Sequence, residues 1–155
     1  MKSYAYLHSP AGLLEVVERA GKIISIQFSD SETHVSHPNI LLDEAILQLE
    51  AYFSGAKVFN LPLEFDCSQF EKDVYETLMG VPYGHTLSYK ELAILAAHPN
   101  AYRAVGSAMA KNRFVIVVPC HRVIKEDGTL GHYSGIHGVK TKEWLIEHEK
   151  TITIA

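Results

Sequence analysis

The strongest constraint on the fold comes from two capping boxes in the second half of the chain. They are Ser68-Gln-Phe-Glu71 and Ser88-Tyr-Lys-Glu91. In such a box the serine oxygen and the carboxylate satisfy free backbone amides of the first helical turn. The first helix should end at Gly80, and the second should end before the breaker His98-Pro-Asn100. The pattern therefore predicts two short helices and, after the break, a third over residues 101–111.

The helices on either side of the break suggest a helix-turn-helix. The second of this pair contains few bulky side chains. Its long side chains are Arg103, Tyr102 and Met109, and its small residues are Ala101, Ala104, Gly106, Ser107, Ala108 and Ala110. A helix of small residues can approach another surface closely, whether that surface is a partner or the protein's own interior. The composition alone leaves both possibilities open.

The first third of the chain is predicted to form a small sheet with one helix. Two β-branched runs, residues 13–18 and 22–28, flank Ala20-Gly21, where a hairpin turn is favoured. Apolar residues then recur at helical spacing over residues 42–53, and Gly55 follows where a helix would stop. None of these residues forms a pattern typical of a reactive site, so we interpret this third as a scaffold.

Length and composition exclude several classes of protein. The 155 residues accommodate one ordinary domain or two small ones, and 47% hydrophobic with 21% charged residues excludes a disordered chain. No apolar run approaches the roughly 18 residues that cross a bilayer, and the N-terminus has no apolar signal core, so no membrane partner is expected. Cys67 and Cys120 cannot form a disulfide framework. We expect a monomer in the reducing cytoplasm.

Charge is distributed unevenly along the chain. Residues 1–64 carry four basic and eight acidic side chains, whereas residues 65–155 carry ten of each. Within the second part, residues 77–125 hold six basic side chains and one acidic one, a local charge of +5 in a protein of net charge −4. A basic stretch in an acidic protein is typical of a surface that binds an anionic partner, although a solvated face has the same pattern.

A reactive cysteine motif follows a run predicted to be a buried strand. The run is Phe114-Val-Ile-Val-Val118, and Pro119 ends it because proline cannot donate a ladder hydrogen bond. Cys120 comes next, with His121 and Arg122 beside it. A thiol is a good nucleophile only as thiolate, so a neighbouring base and a positive charge favour its reactivity.

Direct proton transfer between Cys120 and His121 is awkward if the strand stays extended, since adjacent residues then point to opposite faces. The chain must either turn sharply after Pro119 or use a bridging water. A carboxylate should orient the imidazole in both cases, and the final helix, predicted over residues 139–150, offers Glu147 and Glu149.

Together these motifs resemble the methylated-DNA–protein-cysteine methyltransferases, which repair 6-O-alkylguanine. The matching segments are Pro119-Cys-His-Arg-Val123, Arg103-Ala-Val-Gly106, Ser88-Tyr89, Asn112, Tyr133-Ser-Gly135 and Lys142-Glu-Trp-Leu-Ile-Glu-His-Glu149. The resemblance covers residues 68–150 well and the first third loosely. It implies an α/β (α+β) protein with a small ribonuclease-H-like sheet domain over residues 1–64. A winged-helix-like alkyltransferase domain with a helix-turn-helix would occupy residues 65–155.

The resemblance also implies a reaction that needs no metal and no organic cofactor. The Cys120 thiolate would take the alkyl group from O6 of guanine in double-stranded DNA and keep it, so each molecule would act once. His121 resembles the base that accepts the thiol proton through a water, and Glu149 the carboxylate that holds this histidine. Tyr89 resembles the donor to guanine N3, which stabilises charge on the leaving base.

Further positions correspond to DNA and pocket residues of the family. Arg103 resembles the side chain that fills the place of the flipped nucleotide, and Asn112 resembles a hinge between its helix and the cysteine segment. A helix of small residues in the minor groove would help to offset the cost of base flipping. The remaining expected DNA contacts are Tyr89, Ala104, Gly106, Lys111, Arg113 and Arg122. The expected pocket residues are Met109, Val123, Tyr133 and Ser134.

The chain departs from the family pattern in one loop and at Ser107, where glycine or alanine is common. The segment between Tyr133 and Trp144 is longer than usual, which also leaves Glu147 as an alternative to Glu149. Three other functions compete with the repair hypothesis. They are a non-enzymatic lesion-binding protein, a thiol hydrolase, and a zinc site whose ligands would be Cys120, His121, His132 and His137.

Overall fold

The computed structural model describes residues 1–37, 39–133 and 138–154. The chain divides into two compact units, Met1–Phe65 and Asp66–Ala155. Among the residues described, no helix combines the length and hydropathy that a membrane span requires.

The first unit contains an antiparallel sheet in which β1 (Lys2–Ser9), β2 (Gly12–Arg19) and β3 (Lys22–Phe28) lie in sequence order. The predicted hairpin at Ala20-Gly21 is confirmed, and both of its residues have positive φ, 53° and 80°. Sequence analysis missed β1, because polar and aromatic residues obscure its alternation.

One helix, α1 (Ile40–Phe53), packs on this sheet. It begins at Asn39, whose side-chain oxygen accepts a hydrogen bond of 2.8 Å from the Leu42 amide. The helix buries four residues against the sheet, and the sheet contributes a set of fully buried aliphatic residues, namely Leu14, Val16, Ile23 and Ile26. Each large aliphatic side chain in this core stabilises the unit by about 1.5–3 kcal/mol.

The second unit is mostly helical. Both predicted capping boxes are present, with the amides of Glu71 and Glu91 donating to Ser68 and Ser88 at 3.1 and 3.0 Å. Residues 87–88 and 123–124 form a short pair of parallel strands. The elements are α2 (Gln69–Met79), β4 (Leu87–Ser88), α3 (Tyr89–Leu95), α4 (Tyr102–Ala110), β5 (Val123–Ile124) and α5 (Val139–Ile154). Helices α3 and α4 pack against each other across the break, as a helix-turn-helix requires.

The strand predicted over residues 114–118 is wrong, although the whole segment is buried as expected. It forms tight turns instead, with Ile116 at φ 72° and the Val118 amide donating to the Phe114 carbonyl at 2.8 Å. The Asn112 side chain accepts from the Phe114 amide and donates to the Val118 carbonyl, at 2.9 and 2.8 Å. The β-branched run therefore indicated burial correctly, while an asparagine side chain satisfies backbone groups that a neighbouring strand would otherwise pair.

Candidate active site

Cys120 opens a single 3₁₀ turn, Cys120–Arg122, that follows Pro119 directly. The chain thus turns sharply after the proline, which is one of the two arrangements that sequence analysis allowed. The Cys120 thiol is buried, and its Sγ accepts a hydrogen bond of 3.2 Å from Nδ2 of Asn112. Burial raises the pKa of the Cys120 thiol, whereas this hydrogen bond and the charge of Lys142 act to lower it.

Two neighbouring cavities open beside this thiol. The inner cavity, about 30 Å³, borders Cys120, Met109 and Tyr133. That is room for a methyl group or one or two water molecules. The outer cavity measures about 440 Å³ and shares Tyr89 and Gly106 with the inner one. The thiol is therefore buried, yet it lines a small cavity that shares wall residues with a larger one.

His121 is held by a buried carboxylate. Its Nε2 lies 2.5 Å from Oε2 of Glu149, and both side chains are almost completely inaccessible. Nδ1 of His121 is buried and has no hydrogen-bond partner within residues 1–37, 39–133 and 138–154. Burial lowers the pKa of His121 in spite of the opposing effect of Glu149. This arrangement keeps the imidazole neutral and leaves one ring nitrogen available to accept a proton.

The prediction that Arg122 contacts DNA is wrong, because the structure buries its side chain against Glu149. Only 7% of its surface is exposed, and its Nε and Nη2 donate to the two oxygens of Glu149 at 2.8 and 3.1 Å. Nη1 donates to the Val81 carbonyl at 2.8 Å. A guanidinium occupied in this way cannot contact a DNA phosphate, so Arg122 holds the carboxylate instead.

The Glu149 carboxylate is consequently bound by the side chains of His121 and Arg122. It also accepts a hydrogen bond of 3.1 Å from the backbone amide of Gly84. Burial alone would raise the pKa of Glu149, but the hydrogen bonds from His121 and Arg122 and the positive charge of Arg122 hold it well below its ordinary value. Glu147, the alternative from sequence, is exposed on the same helix, whereas Glu149 is buried against His121.

Sequence analysis missed Lys142, which is completely buried. Its Nζ donates to the His132 carbonyl at 3.3 Å and lies 5.9 Å from the centre of the Tyr89 ring. Burial lowers the pKa of Lys142 to about 8, although the Cys120 thiolate acts in the opposite direction. Lys142 belongs to a segment that supports the family resemblance, but a lysine in the first turns of a helix is ordinarily exposed, so no local pattern assigns it a role.

Tyr89 begins α3 directly after the Ser88 cap and is half-buried between the two cavities. Burial raises the pKa of its hydroxyl, with a further contribution from Cys120. The hydroxyl also lies close to Gly131, where an added Cβ would stand 3.2 Å from it. This tyrosine therefore presents a protonated hydroxyl next to the cavity that borders the thiol.

The other predicted residues separate into wall and surface positions. Met109 and Tyr133 border the inner cavity, while Val123 is fully buried in β5. Ser134 and His137 lie outside the described residues. On the surface, the exposed residues of α4 and the loop after it include Arg103, Ala104, Lys111 and Arg113, with Gly106 half-buried. Groups of three or more histidine, cysteine or acidic side chains suited to a metal ion are absent from the part of the chain that is described.

Known proteins provide an independent comparison. Residues 2–65 match the ribonuclease-like domain of 6-O-methylguanine DNA methyltransferase, and residues 69–151 match the DNA binding domain of the same family. The matches confirm the α/β fold class inferred from sequence, with its sheet unit followed by a helical unit.

Similar individual proteins span the whole chain. A methylated-DNA–protein-cysteine methyltransferase of Methanosarcina barkeri is 36% identical over 154 residues, which is 95% of this chain and 96% of that protein. One from Mycobacterium tuberculosis is 35% identical over 157 residues, covering 97% and 94%. The crystal structure of Mycobacterium tuberculosis OGT in complex with DNA superposes with a TM-score of 0.86 at 35% identity, covering 97% of this chain and 94% of that one. The buried cysteine and the matches along both units lead to one conclusion, that the chain belongs to the methylated-DNA–protein-cysteine methyltransferase family.

Proposed function

We propose that this protein repairs DNA by moving the methyl or alkyl group of 6-O-alkylguanine in a duplex onto its own Cys120. The observation that carries the proposal is a buried cysteine that borders a cavity, one residue before a histidine locked on a carboxylate. The family relationship supports the same reaction, since its members are named for transfer of a methyl group from DNA to a protein cysteine. The acceptor is consumed, so each molecule acts once.

The reaction is an in-line displacement at the alkyl carbon. The bond from Sγ of Cys120 to carbon forms as the bond from carbon to O6 breaks, and the electron pair of the broken bond remains on guanine. The thiol proton passes to Nδ1 of His121 through a water, because that nitrogen is unoccupied while Nε2 is fixed by Glu149. The product is a thioether, which water does not hydrolyse, and this separates the reaction from that of a thiol hydrolase.

Two further groups act on charge. Tyr89 donates a hydrogen bond to N3 of guanine and stabilises the negative charge that develops on the leaving base. Lys142 supplies positive charge beside the thiol, which favours the thiolate in a cavity where burial alone would disfavour it. Both effects are strengthened because Cys120 and Lys142 are buried and Tyr89 is half-buried, where the effective dielectric constant is lower than in water.

Access to the base requires its extrusion from the duplex, at a cost of a few kcal/mol. We assign the surface of α4 to the minor groove, with Arg103 filling the place of the extruded nucleotide and small residues allowing close approach. Lys111 and Arg113, both exposed, would contact phosphates without sequence preference. Asn112 links α4 to the cysteine turn and, in this proposal, acts as the hinge between DNA binding and the thiol. We further propose that the protein acts in the cytoplasm, where the thiol stays reduced.

Mass spectrometry of the protein after incubation with a methylated duplex tests the proposal. The peptide that contains Cys120 should gain one CH₂, about 14 mass units, and Cys120→Ser should gain nothing while still binding the duplex. Transfer to Cys67 or no transfer at all would overturn the assignment. A protein that only binds lesions would give the second of these results.

A further inference from the structure

The outer cavity has a volume of about 440 Å³. It shares Tyr89, Gly106 and His132 with the inner cavity, so the two cavities are adjacent. The inner cavity, at about 30 Å³, holds an alkyl group but not a nucleotide. Most of the nucleotide that carries the alkyl group must therefore extend into the outer cavity, including its sugar and phosphate.

The lining of the outer cavity includes two lysines, Lys90 and Lys125, and one carboxylate, Glu126. Lys90 lies with its Nζ 3.3 Å from Oε2 of Glu126 and 5.2 Å from the centre of the Tyr102 ring. Both members of this ion pair are at least half exposed. Lys125 also lines the cavity, and in the described part of the chain its ammonium group forms no ion pair within 4.0 Å. The rim therefore has one cation that is paired weakly and one that is not paired directly.

We propose that the rim of the outer cavity is a phosphate subsite, in which Lys90 and Lys125 bind the DNA backbone beside the extruded nucleotide and Glu126 competes with that phosphate for Lys90. This subsite rests on the proposed function. It adds Lys90 and Lys125 as residues that position the DNA, and Glu126 as a residue that weakens DNA binding. A phosphate is the only charged part of the nucleotide, and the apolar faces of Tyr89 and Tyr102 suit its sugar and base.

Glu126 is the unexpected member of this group, because an acidic side chain at the entrance of a DNA-binding cavity repels its ligand. Its pairing with Lys90 neutralises that repulsion only until a phosphate arrives. Exposed ion pairs are weak, so a phosphate can displace the carboxylate at little cost. Glu126 should consequently reduce affinity for DNA in general without closing the site.

Four single variants test the subsite by binding of a methylated duplex over a range of salt concentrations. Lys90→Gln and Lys125→Gln should each weaken binding at low salt by about threefold to tenfold. Each should also make the slope of log K against log salt less steep by about one unit. Glu126→Gln should tighten binding by about threefold, because the variant removes both the repulsion of the phosphate and the competition for Lys90. Lys57→Gln, an exposed lysine of the first unit, removes the same charge and should stay within about twofold of the original protein.

Kinetics distinguish positioning from a general loss of structure. In Lys90→Gln and Lys125→Gln the half-saturating duplex concentration should rise by about threefold to tenfold, while the limiting rate of transfer should change by less than about twofold. Salt slopes equal to that of Lys57→Gln, or weaker binding in Glu126→Gln, would overturn the phosphate subsite while leaving alkyl transfer intact. Absence of any Cys120 methylation in the unmodified protein would instead overturn the proposed function, and the subsite with it.

Discussion

The two units of the molecule differ in what they bury. The core of Met1–Phe65 consists of apolar and aromatic side chains on a three-stranded sheet and one helix. Every buried polar or charged side chain among the described residues belongs to Asp66–Ala155, where they are Ser88, Asn112, His121, Arg122, Thr141, Lys142 and Glu149. Most of these residues lie around Cys120. Burying these charged groups costs desolvation free energy, so the second unit carries an electrostatic cost around its thiol that the first unit does not have.

This contrast predicts its largest effect for Glu149→Gln. Loss of the carboxylate charge leaves the Arg122 guanidinium buried without its counter-ion, which costs about 3–5 kcal/mol of unfolding free energy. Transfer to Cys120 should fall by at least about a hundredfold, because His121 loses its anchor. Urea denaturation measures the first effect and single-turnover kinetics the second.

The matched control is Glu64→Gln in the first unit. Glu64 pairs with Arg19 at 2.9 Å, but both side chains are more than 40% exposed, so the loss should be below about 1 kcal/mol. Similar losses in the two variants would contradict the difference between the units.

The buried ionisable groups of the second unit should also make the unfolding free energy depend on pH. The folded-state pKa of Glu149 lies well below its unfolded value near 4.5, so its contribution to stability is complete above pH 4.5 and is lost as the pH falls further. His121, whose pKa is lowered by burial from 6.5, acts in the same direction below that pH. The unfolding free energy should therefore decline on acidification, and Glu149→Gln should show a smaller decline. An identical acid profile for the variant would refute this assignment.

An effect of different kind is expected for Leu49→Ala in the first unit. Leu49 is fully buried on α1, and its truncation leaves a cavity that costs about 2–5 kcal/mol. The expected result is a lower urea midpoint with little change in the rate at which the folded protein methylates Cys120. A slower transfer step in the folded variant would show that the first unit is more than a scaffold.

Lys142→Met should produce a smaller, pH-dependent effect. The Lys142 ammonium favours the Cys120 thiolate below about pH 8 and loses its proton above that pH, since its pKa is about 8. The variant should react about threefold to tenfold more slowly with iodoacetamide at pH 7, and the difference should shrink as the pH rises beyond 8. Lys140→Met is the matched control, because Lys140 is exposed on the same helix. A constant ratio at every pH would exclude a role for the ammonium charge.

The sequence predicted elements that local patterns determine, and it failed where long-range contacts decide. Ser68 and Ser88 define their helices through residues three positions away, so both capping boxes could be identified. The turns over residues 114–118 depend on the side chain of Asn112, and β-branched composition cannot reveal that contact.

The same limit applies to the candidate site. Cys120 and His121 form a local motif, whereas the partnership between Arg122 and Glu149 joins groups 27 residues apart. Sequence analysis could identify Arg122 as a cation, but only packing determines whether a cation faces DNA or a buried carboxylate. Lys142 was missed for the same reason, since nothing near it in the chain indicates burial.

The smallest effect is expected for alanine at one glycine in each unit, Gly131 and Gly21. The two variants distinguish the cost of backbone strain from an effect on the transfer rate. Gly131 and Gly21 have similar positive φ, 74° and 80°, so alanine should cost each about 1–2 kcal/mol through its backbone. At Gly21 no atom lies within 4 Å of the added Cβ, whereas at Gly131 the Tyr89 hydroxyl lies at 3.2 Å. Both variants should therefore lose similar stability in urea, but Gly131→Ala alone should slow transfer, by a few-fold, because the hydroxyl must move from its place beside the inner cavity. Equal transfer rates in the two variants would mean that the position of Tyr89 does not limit the reaction.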